Sequence, residues 1–181
     1  MKKFLKLCGL AVLSASLFFV GCGSAENNSS AQTSAAAVQG QFPAFTTTNL
    51  DGEQVTEKIF AQKKITVVNI WGTFCPPCIE EMPELAEWSK NLSPDAQIIG
   101  LVCDVGGVED NKSIDAAKKI LSQADADFVN IIPSKEIISY LQKIDAVPTT
   151  IFVDAQGNIL GEAVIGADVD SYKARLEEIL K

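Results

Sequence analysis

The chain has 181 residues, 47% of them hydrophobic, with 15 basic and 23 acidic side chains, five cysteines and no histidine. That length suits one domain of ordinary size, and the formal charge of −8 argues against nucleic acid or an anionic lipid surface as a partner. The missing histidine removes the usual general base, so any proton chemistry has to be carried by another group.

The N-terminus reads MKKFLKLCGLAVLSASLFFVGCGS, with Lys2, Lys3 and Lys6 ahead of an uncharged apolar run to Val20. This is the pattern of a secretory signal peptide, and the run is shorter than the ~20 apolar residues of a membrane span. It ends in Phe19-Val20-Gly21-Cys22, which resembles a bacterial lipobox with Phe19 where leucine is usual. The resemblance implies removal of residues 1–21, Cys8 included, and lipidation of Cys22; an uncleaved anchor is the alternative. Cleavage would remove three lysines and no acid, leaving a charge of −11. Residues 22–41 lack an apolar period and are rich in Ser, Ala, Asn and Gln, so they are expected to be a flexible tether with a reach of roughly 25 Å. Either way the folded part is expected outside the cytoplasmic membrane, held to it by lipid or by the anchor.

The fold is expected over 42–181. TTTNLDGEQVT suggests an edge hairpin turning at Asp51-Gly52. ITVVNI, residues 65–70, is β-branched and nearly all apolar, as a central strand covered on both faces should be. WGTF leads into a helix expected from Cys75 to about Asn91, with Pro76 and Pro77 in its first turn and a kink at Pro83. QIIGLVCDV is a further buried strand, DAAKKILSQA a helix, DFVNII a strand candidate and KEIISYLQKI a helix. TTIFVDAQGNILGEAVIG follows as two strands about Gln156-Gly157-Asn158, and SYKARLEEILK as an amphipathic last helix. Strands alternating with helices and a late hairpin predict an α/β fold with a mixed central sheet flanked by helices.

The chemistry centres on CPPC, residues 75–78. A zinc site is disfavoured, because structural zinc takes about four ligands and the chain has neither histidine nor a second cysteine pair. A structural staple closing so small a loop would remove little chain entropy. A redox dithiol explains the position: Cys75 at a helix N-terminus would face free N–H groups and the positive end of the dipole, which favours its thiolate as the attacking sulfur. Cys78, one turn on, would then resolve the mixed disulfide. At 100° per residue Met82, Leu85, Ser89 and Leu92 fall within about 40° of Cys78, Glu81 lies about 60° away, and Glu80 faces opposite. A partly buried Glu81 would have a raised pKa suited to proton exchange with a thiol; a solvent-facing helix glutamate is the plainer alternative. Pro76 and Pro77 withhold two amide donors from the thiolate, so the couple is expected to be more reducing than one with an amide-bearing dipeptide.

WGTFCPPC after a buried strand, with AVPTTIFVD later, resembles the thioredoxin fold and more closely the TlpA/ResA-like family of membrane-anchored thiol-disulfide oxidoreductases. Against the family pattern V-x-x-N-F-W-A-T-W-C-x-P-C-x-x-E-x-P, the residues Asn69, Trp71, Thr73, Cys75, Pro77, Cys78, Glu81 and Pro83 match, Thr66 stands at the valine position, and Ile70, Gly72 and Phe74 depart conservatively. The resemblance implies a thioredoxin-like domain over 42–181 with an N-terminal β-hairpin extension, a Cys75–Cys78 disulfide, a functional Glu81, and Pro148 as a cis-proline beside the dithiol that leaves backbone groups free for an extended substrate. Asn69 stands where classical thioredoxins have a buried aspartate, which fits Glu81 taking the proton-exchange task. Trp71 is open between a residue flanking the site and a core aromatic, and Cys103, in IIGLVCDV, is expected to be an inert core thiol rather than a third redox cysteine.

The expected function is an extracytoplasmic, lipid-anchored thiol-disulfide oxidoreductase needing no cofactor beyond its dithiol. By the resemblance it is a reductant that takes electrons from a membrane thiol transporter and passes them to protein disulfides, such as those of apocytochrome c or methionine sulfoxide reductase. An oxidant making disulfides in secreted proteins uses the same residues at another potential. A peroxidase is disfavoured because Gly72 occupies the position three before Cys75 where peroxiredoxins carry threonine, and a copper-delivery module lacks its histidine. A non-catalytic, partner-binding lipoprotein is the alternative from another class.

Overall fold

A computed structural model describes residues 39–181. The expected signal peptide with Cys8, the expected lipidation site Cys22 and most of the expected tether lie outside the described residues.

The strands are β1 Gly40–Gln41, β2 Thr46–Thr48, β3 Gln54–Thr56, β4 Ile65–Trp71, β5 Ala96–Val102, β6 Asn130–Ile131, β7 Thr149–Asp154, β8 Asn158–Ile159 and β9 Val164–Ile165. The α-helices are α1 Pro76–Lys90, α2 Asn111–Gln123, α3 Lys135–Leu141 and α4 Val169–Ile179, with a 3-10 turn at Glu57–Gln62. The seven-stranded main sheet runs β1-β8-β7-β4-β5-β6, with β9 also on β7. Strands β4, β5 and β6 are parallel, and β7 is antiparallel to β4. This is the mixed sheet expected, and each parallel step is made by a helical crossover.

Every residue of β4 is buried because both faces are covered. Ile65, Val67 and Trp71 face one core with Cys78, Met82 and Leu85 of α1, Ala117 of α2, and Tyr172 and Leu176 of α4. Val68 and Ile70 face the other with Ile137 and Tyr140 of α3 and Ile59 and Phe60 of the 3-10 turn. Successive side chains of a strand point to opposite faces, so a run without polar alternation fits only a strand inside two layers. Phe42, Phe45, Phe60 and Tyr140 close the second core, with adjacent ring centroids 5.0 to 6.0 Å apart.

The hairpin β2–β3 is a sheet of its own that docks on the edge strand. Ile132 N–H donates to Thr48 O (2.9 Å) and Leu50 N–H to Asn130 O (3.0 Å). Its turn is tied by Asn49, whose Oδ1 accepts from Asp51 N–H and Glu53 N–H, with Gly52 at φ +84°, a conformation that favours glycine. Gly40–Gln41, expected as the end of the tether, instead pairs with β8.

Several boundaries differ from the sequence reading for local reasons. DFVNII yields only Asn130–Ile131, because the Ile132 N–H turns to Thr48 and Pro133 has none to give. Helix α3 ends at Leu141, where Lys143 N–H bonds Tyr140 O and Ile144 N–H bonds Leu141 O, a tightened last turn. The strand expected after Gln156-Gly157-Asn158 is broken into β8 and β9 around Gly161 at φ +68°. Helix α1 is continuous through Pro83.

Candidate active site

The loop Gly72–Phe74 carries the chain from β4 to α1 and is anchored by Thr73. Its N–H donates to Asp104 Oδ1 (3.0 Å) and its hydroxyl to Asp104 Oδ2 (2.5 Å). A Cβ at Gly72 would lie 2.6 Å from Phe74 Cε1, so glycine leaves room for the phenyl ring over the backbone. The departures at 72 and 74 are therefore one packing solution. Phe74 is 67% exposed, immediately before Cys75.

Cys75 is the N-cap of α1, with Pro76 and Pro77 at the first two helical positions. Cys75 and Cys78 form a disulfide with Cα atoms 5.3 Å apart, and the Cys78 N–H points at Cys75 Sγ at 3.3 Å. An N-cap acceptor normally takes the N–H of the second or third helical residue; Pro77 has none, which leaves Cys78. Cys75 lines a groove of about 550 Å³ with Phe74, Pro76, Pro77, Ile144 and Val147, while Cys78 is fully buried. The Val147–Pro148 bond is cis, and Val147 O stands 3.5 Å from Cys75 Sγ. Pro148 is thus beside the dithiol.

Glu81 is 6% exposed, on the side of α1 that buries Cys78, Met82 and Leu85, while Glu80 faces solvent. The solvent-facing alternative is excluded. Asn69 Nδ2 donates to Glu81 Oε1 (2.9 Å) and to Thr150 Oγ1 (3.1 Å), and Tyr172 Oη lies 2.9 Å from Glu81 Oε2. Burial pushes the Glu81 carboxyl above the ordinary carboxylate range; the Asn69 and Tyr172 hydrogen bonds pull the other way, and the charge of Glu84 adds to the rise.

Trp71 is a core aromatic: fully buried, its Nε1–H donates to Asn130 Oδ1 at 2.9 Å. Cys103 is not in the core interior as expected. It lies just past β5, is half-buried, and lines the same groove as Cys75. Burial first, and then Asp104, push its thiol up to about 11, so it is a poor nucleophile at neutral pH.

The residues missed at the sequence level are Tyr172 and Thr150, which complete the shell of Glu81. Val169, Tyr172 and Leu176 form the buried stripe of α4, and a hydroxyl on such a stripe needs a buried partner. That was the available signal.

Residues 37–176 match the family model described as Redoxin. The chain is 33% identical over 143 residues to the thiol-disulfide oxidoreductases ResA of Bacillus thuringiensis subsp. konkukian and Bacillus cereus, covering 78% of this chain and 75% of theirs. Among solved structures it resembles the thioredoxin domain of a thiol-disulfide oxidoreductase from Bacteroides vulgatus, with TM-score 0.61, 23% identity and coverage of 78% and 96%. It also resembles a secreted Mycobacterium tuberculosis disulfide oxidoreductase, with TM-score 0.58, 20% identity and coverage of 79% and 98%. These structures share the thioredoxin-like fold.

Proposed function

Since the chain belongs to the Redoxin family and, within it, to the TlpA/ResA-like thiol-disulfide oxidoreductases, we propose that it reduces protein disulfides with Cys75 as nucleophile, Cys78 as resolving thiol and Glu81 as proton acceptor. The observation carrying this assignment is the asymmetry of the pair: Cys75, 4% exposed, lines the groove, while Cys78 does not line it and is fully buried on the same side of α1 as Glu81. The Cys75 thiolate attacks a substrate disulfide, forming a mixed disulfide and expelling one substrate thiolate, which takes up a proton. Cys78 gives its proton to the Glu81 carboxylate and attacks Cys75 Sγ, closing the Cys75–Cys78 disulfide and releasing the second substrate thiolate. The substrate gains two electrons and the enzyme loses two. Pro148 and the Val147 carbonyl flank the reacting sulfur, where an extended substrate backbone would lie.

A reducing direction is supported by the prolines, which leave a single backbone N–H on Cys75 Sγ and so stabilise its thiolate less than an amide-bearing first turn would. The N-terminal pattern supports an extracytoplasmic protein lipidated at Cys22, fed electrons by a membrane thiol transporter. Among the described residues no helix is long and apolar enough to cross a membrane. Apocytochrome c and methionine sulfoxide reductase are the substrates the family resemblance suggests. Insulin-disulfide reduction by the purified protein tests the activity: wild type should turn over, and Cys75→Ser should fall to the uncatalysed rate. Full turnover in Cys75→Ser would overturn the assignment.

A further inference from the structure

The hydroxyl of Tyr172 has more to do than one proton allows. It lies 2.9 Å from Glu81 Oε2 and 2.6 Å from the Gly166 carbonyl oxygen, and a phenol has one hydrogen to donate. A backbone carbonyl can only accept, so the short contact to Gly166 requires the tyrosine proton, which an ionised Glu81 would require as well. The Gly166 N–H in turn donates to Pro148 O at 2.8 Å, and Gly166 is held at φ +95°, a conformation open to glycine and strained for other residues.

With Glu81 protonated on Oε2 the donors run in one direction: Asn69 Nδ2–H to Glu81 Oε1, Glu81 Oε2–H to Tyr172 Oη, Tyr172 O–H to Gly166 O, Gly166 N–H to Pro148 O. Each of these contacts then has one donor and one acceptor. With Glu81 ionised, Oε2 has no hydrogen. The tyrosine proton is then drawn to the carboxylate, because a charge-assisted hydrogen bond is the stronger, and the Gly166 carbonyl loses its donor.

We propose that Tyr172 is a positioning residue that couples the protonation of Glu81 to the substrate-docking backbone at Val147–Pro148 through Gly166, whose C=O meets Tyr172 and whose N–H, on the other side of the same Cα, meets Pro148. This rests on the reading of Glu81 as the proton acceptor of Cys78. When Cys78 hands its proton to Glu81, Tyr172 turns to the Gly166 carbonyl and fixes the residue whose N–H is bonded to Pro148; when Glu81 loses that proton, Tyr172 turns back and that restraint on Gly166 is released. No heavy-atom bond changes beyond those of the exchange itself, and the tyrosine keeps its proton throughout. The docking segment thereby responds to the proton the resolving step produces.

The groups around Glu81 are few. Its own helix contributes Cys78 and Glu84. Helix α4 contributes Tyr172, and also Lys173, which is engaged by Glu84 (2.6 Å) and Asp170 (3.4 Å). From β4 and β7 come only the uncharged Asn69 and Thr150, the latter also hydrogen-bonded to Tyr172. Burial holds the Tyr172 phenol far above its ordinary range, so along this run of hydrogen bonds Glu81 is the group that ionises while Tyr172 only redirects its hydrogen.

The test is a carbon-13 NMR titration of the oxidised full-length protein, following the Glu81 carboxyl and the Gly166 carbonyl. In wild type both resonances should move with one shared midpoint. In Tyr172→Phe, which keeps the ring, Glu81 should still titrate and the Gly166 carbonyl should stay flat. A Gly166 carbonyl that is flat in wild type, or that follows Glu81 in Tyr172→Phe, would overturn the coupling. Should Tyr172→Phe fail to fold, Glu81→Gln gives the same decision: a flat Gly166 carbonyl supports the coupling, and a retained transition overturns it. Failure of the premise is separately visible, since identical pH profiles of Cys78 alkylation in wild type and Glu81→Gln would remove the proton-acceptor role whatever the carbonyl does.

Discussion

Cys75 as an N-cap with two prolines behind it is a residue-scale device with a measurable consequence. In an ordinary first turn the sulfur would be able to meet the N–H groups of positions 77 and 78; here it meets only that of Cys78, at 3.3 Å. Pro77→Gly restores one donor to the thiolate and should make the couple more oxidising. A thiolate stabilised by about 1.4 kcal/mol corresponds to roughly 30 mV in a two-electron couple, so equilibration with glutathione should read a shift of that order. An unchanged or more reducing couple would remove the prolines from the account. Cys75, Cys78 and Glu81 were all legible in the sequence, because a cysteine pair at a helix start and an acid three residues on are local patterns with one helical geometry. Tyr172 was not: it is 91 positions from Glu81, and although its place on the buried stripe of α4 calls for a buried partner, nothing in SYKARLEEILK says that the partner is a carboxyl group. Phe74 and Gly72 were legible as departures, but their mutual packing was not.

At the scale of elements, β4 and β5 pair in register over seven residues, with Asn69 opposite Gly100 and Trp71 opposite Val102. The site depends on that register, because Asn69 must face α1 to reach Glu81. Gly100 is where the packing has least tolerance: a Cβ there would stand 1.8 Å from Asn130 Oδ1 and 3.0 Å from Trp71 Nε1, the two atoms of the buried hydrogen bond between those side chains. Gly100→Ala is therefore expected to cost about 1–3 kcal/mol by overpacking, plus whatever is lost from that bond. Urea denaturation would measure it, and a midpoint within error of wild type would contradict the packing described. Period and composition located the long elements, β4, β5, β7 and the helices, since burial on two faces or one stripe leaves its mark on every residue. The two-residue strands β1, β8 and β9 carry no such mark; they exist because a neighbour offers free backbone groups, and Gly161 at φ +68° interrupts what reads as one strand.

For the molecule as a whole, the buried Glu81 links stability to pH. Its carboxyl is raised chiefly by burial, so the folded state holds its proton to higher pH than the unfolded chain, where glutamate titrates near ~4.3. The stabilisation from protonated Glu81 is complete below that value and is lost as pH rises through the folded-state pKa. In the oxidised protein, where neither Cys75 nor Cys78 titrates, Glu81→Gln should therefore gain in melting temperature relative to wild type as pH is raised from 4 to 8. Parallel curves would mean that Glu81 ionises in the fold without penalty. The sequence by itself determined the α/β class, the mixed sheet, the dithiol on a helix N-terminus, the acid beside it and the family, because each is written in local order: strand composition, helical spacing, and a motif within a few turns of chain. Only the tertiary structure decided that Trp71 is a core residue, that Cys103 opens on the groove of Cys75, and that Tyr172 and Gly166 join Glu81 to Pro148. Those facts depend on which backbone and side-chain groups meet across elements far apart in the chain, and hydrogen bonds between such groups leave no periodic trace in the sequence.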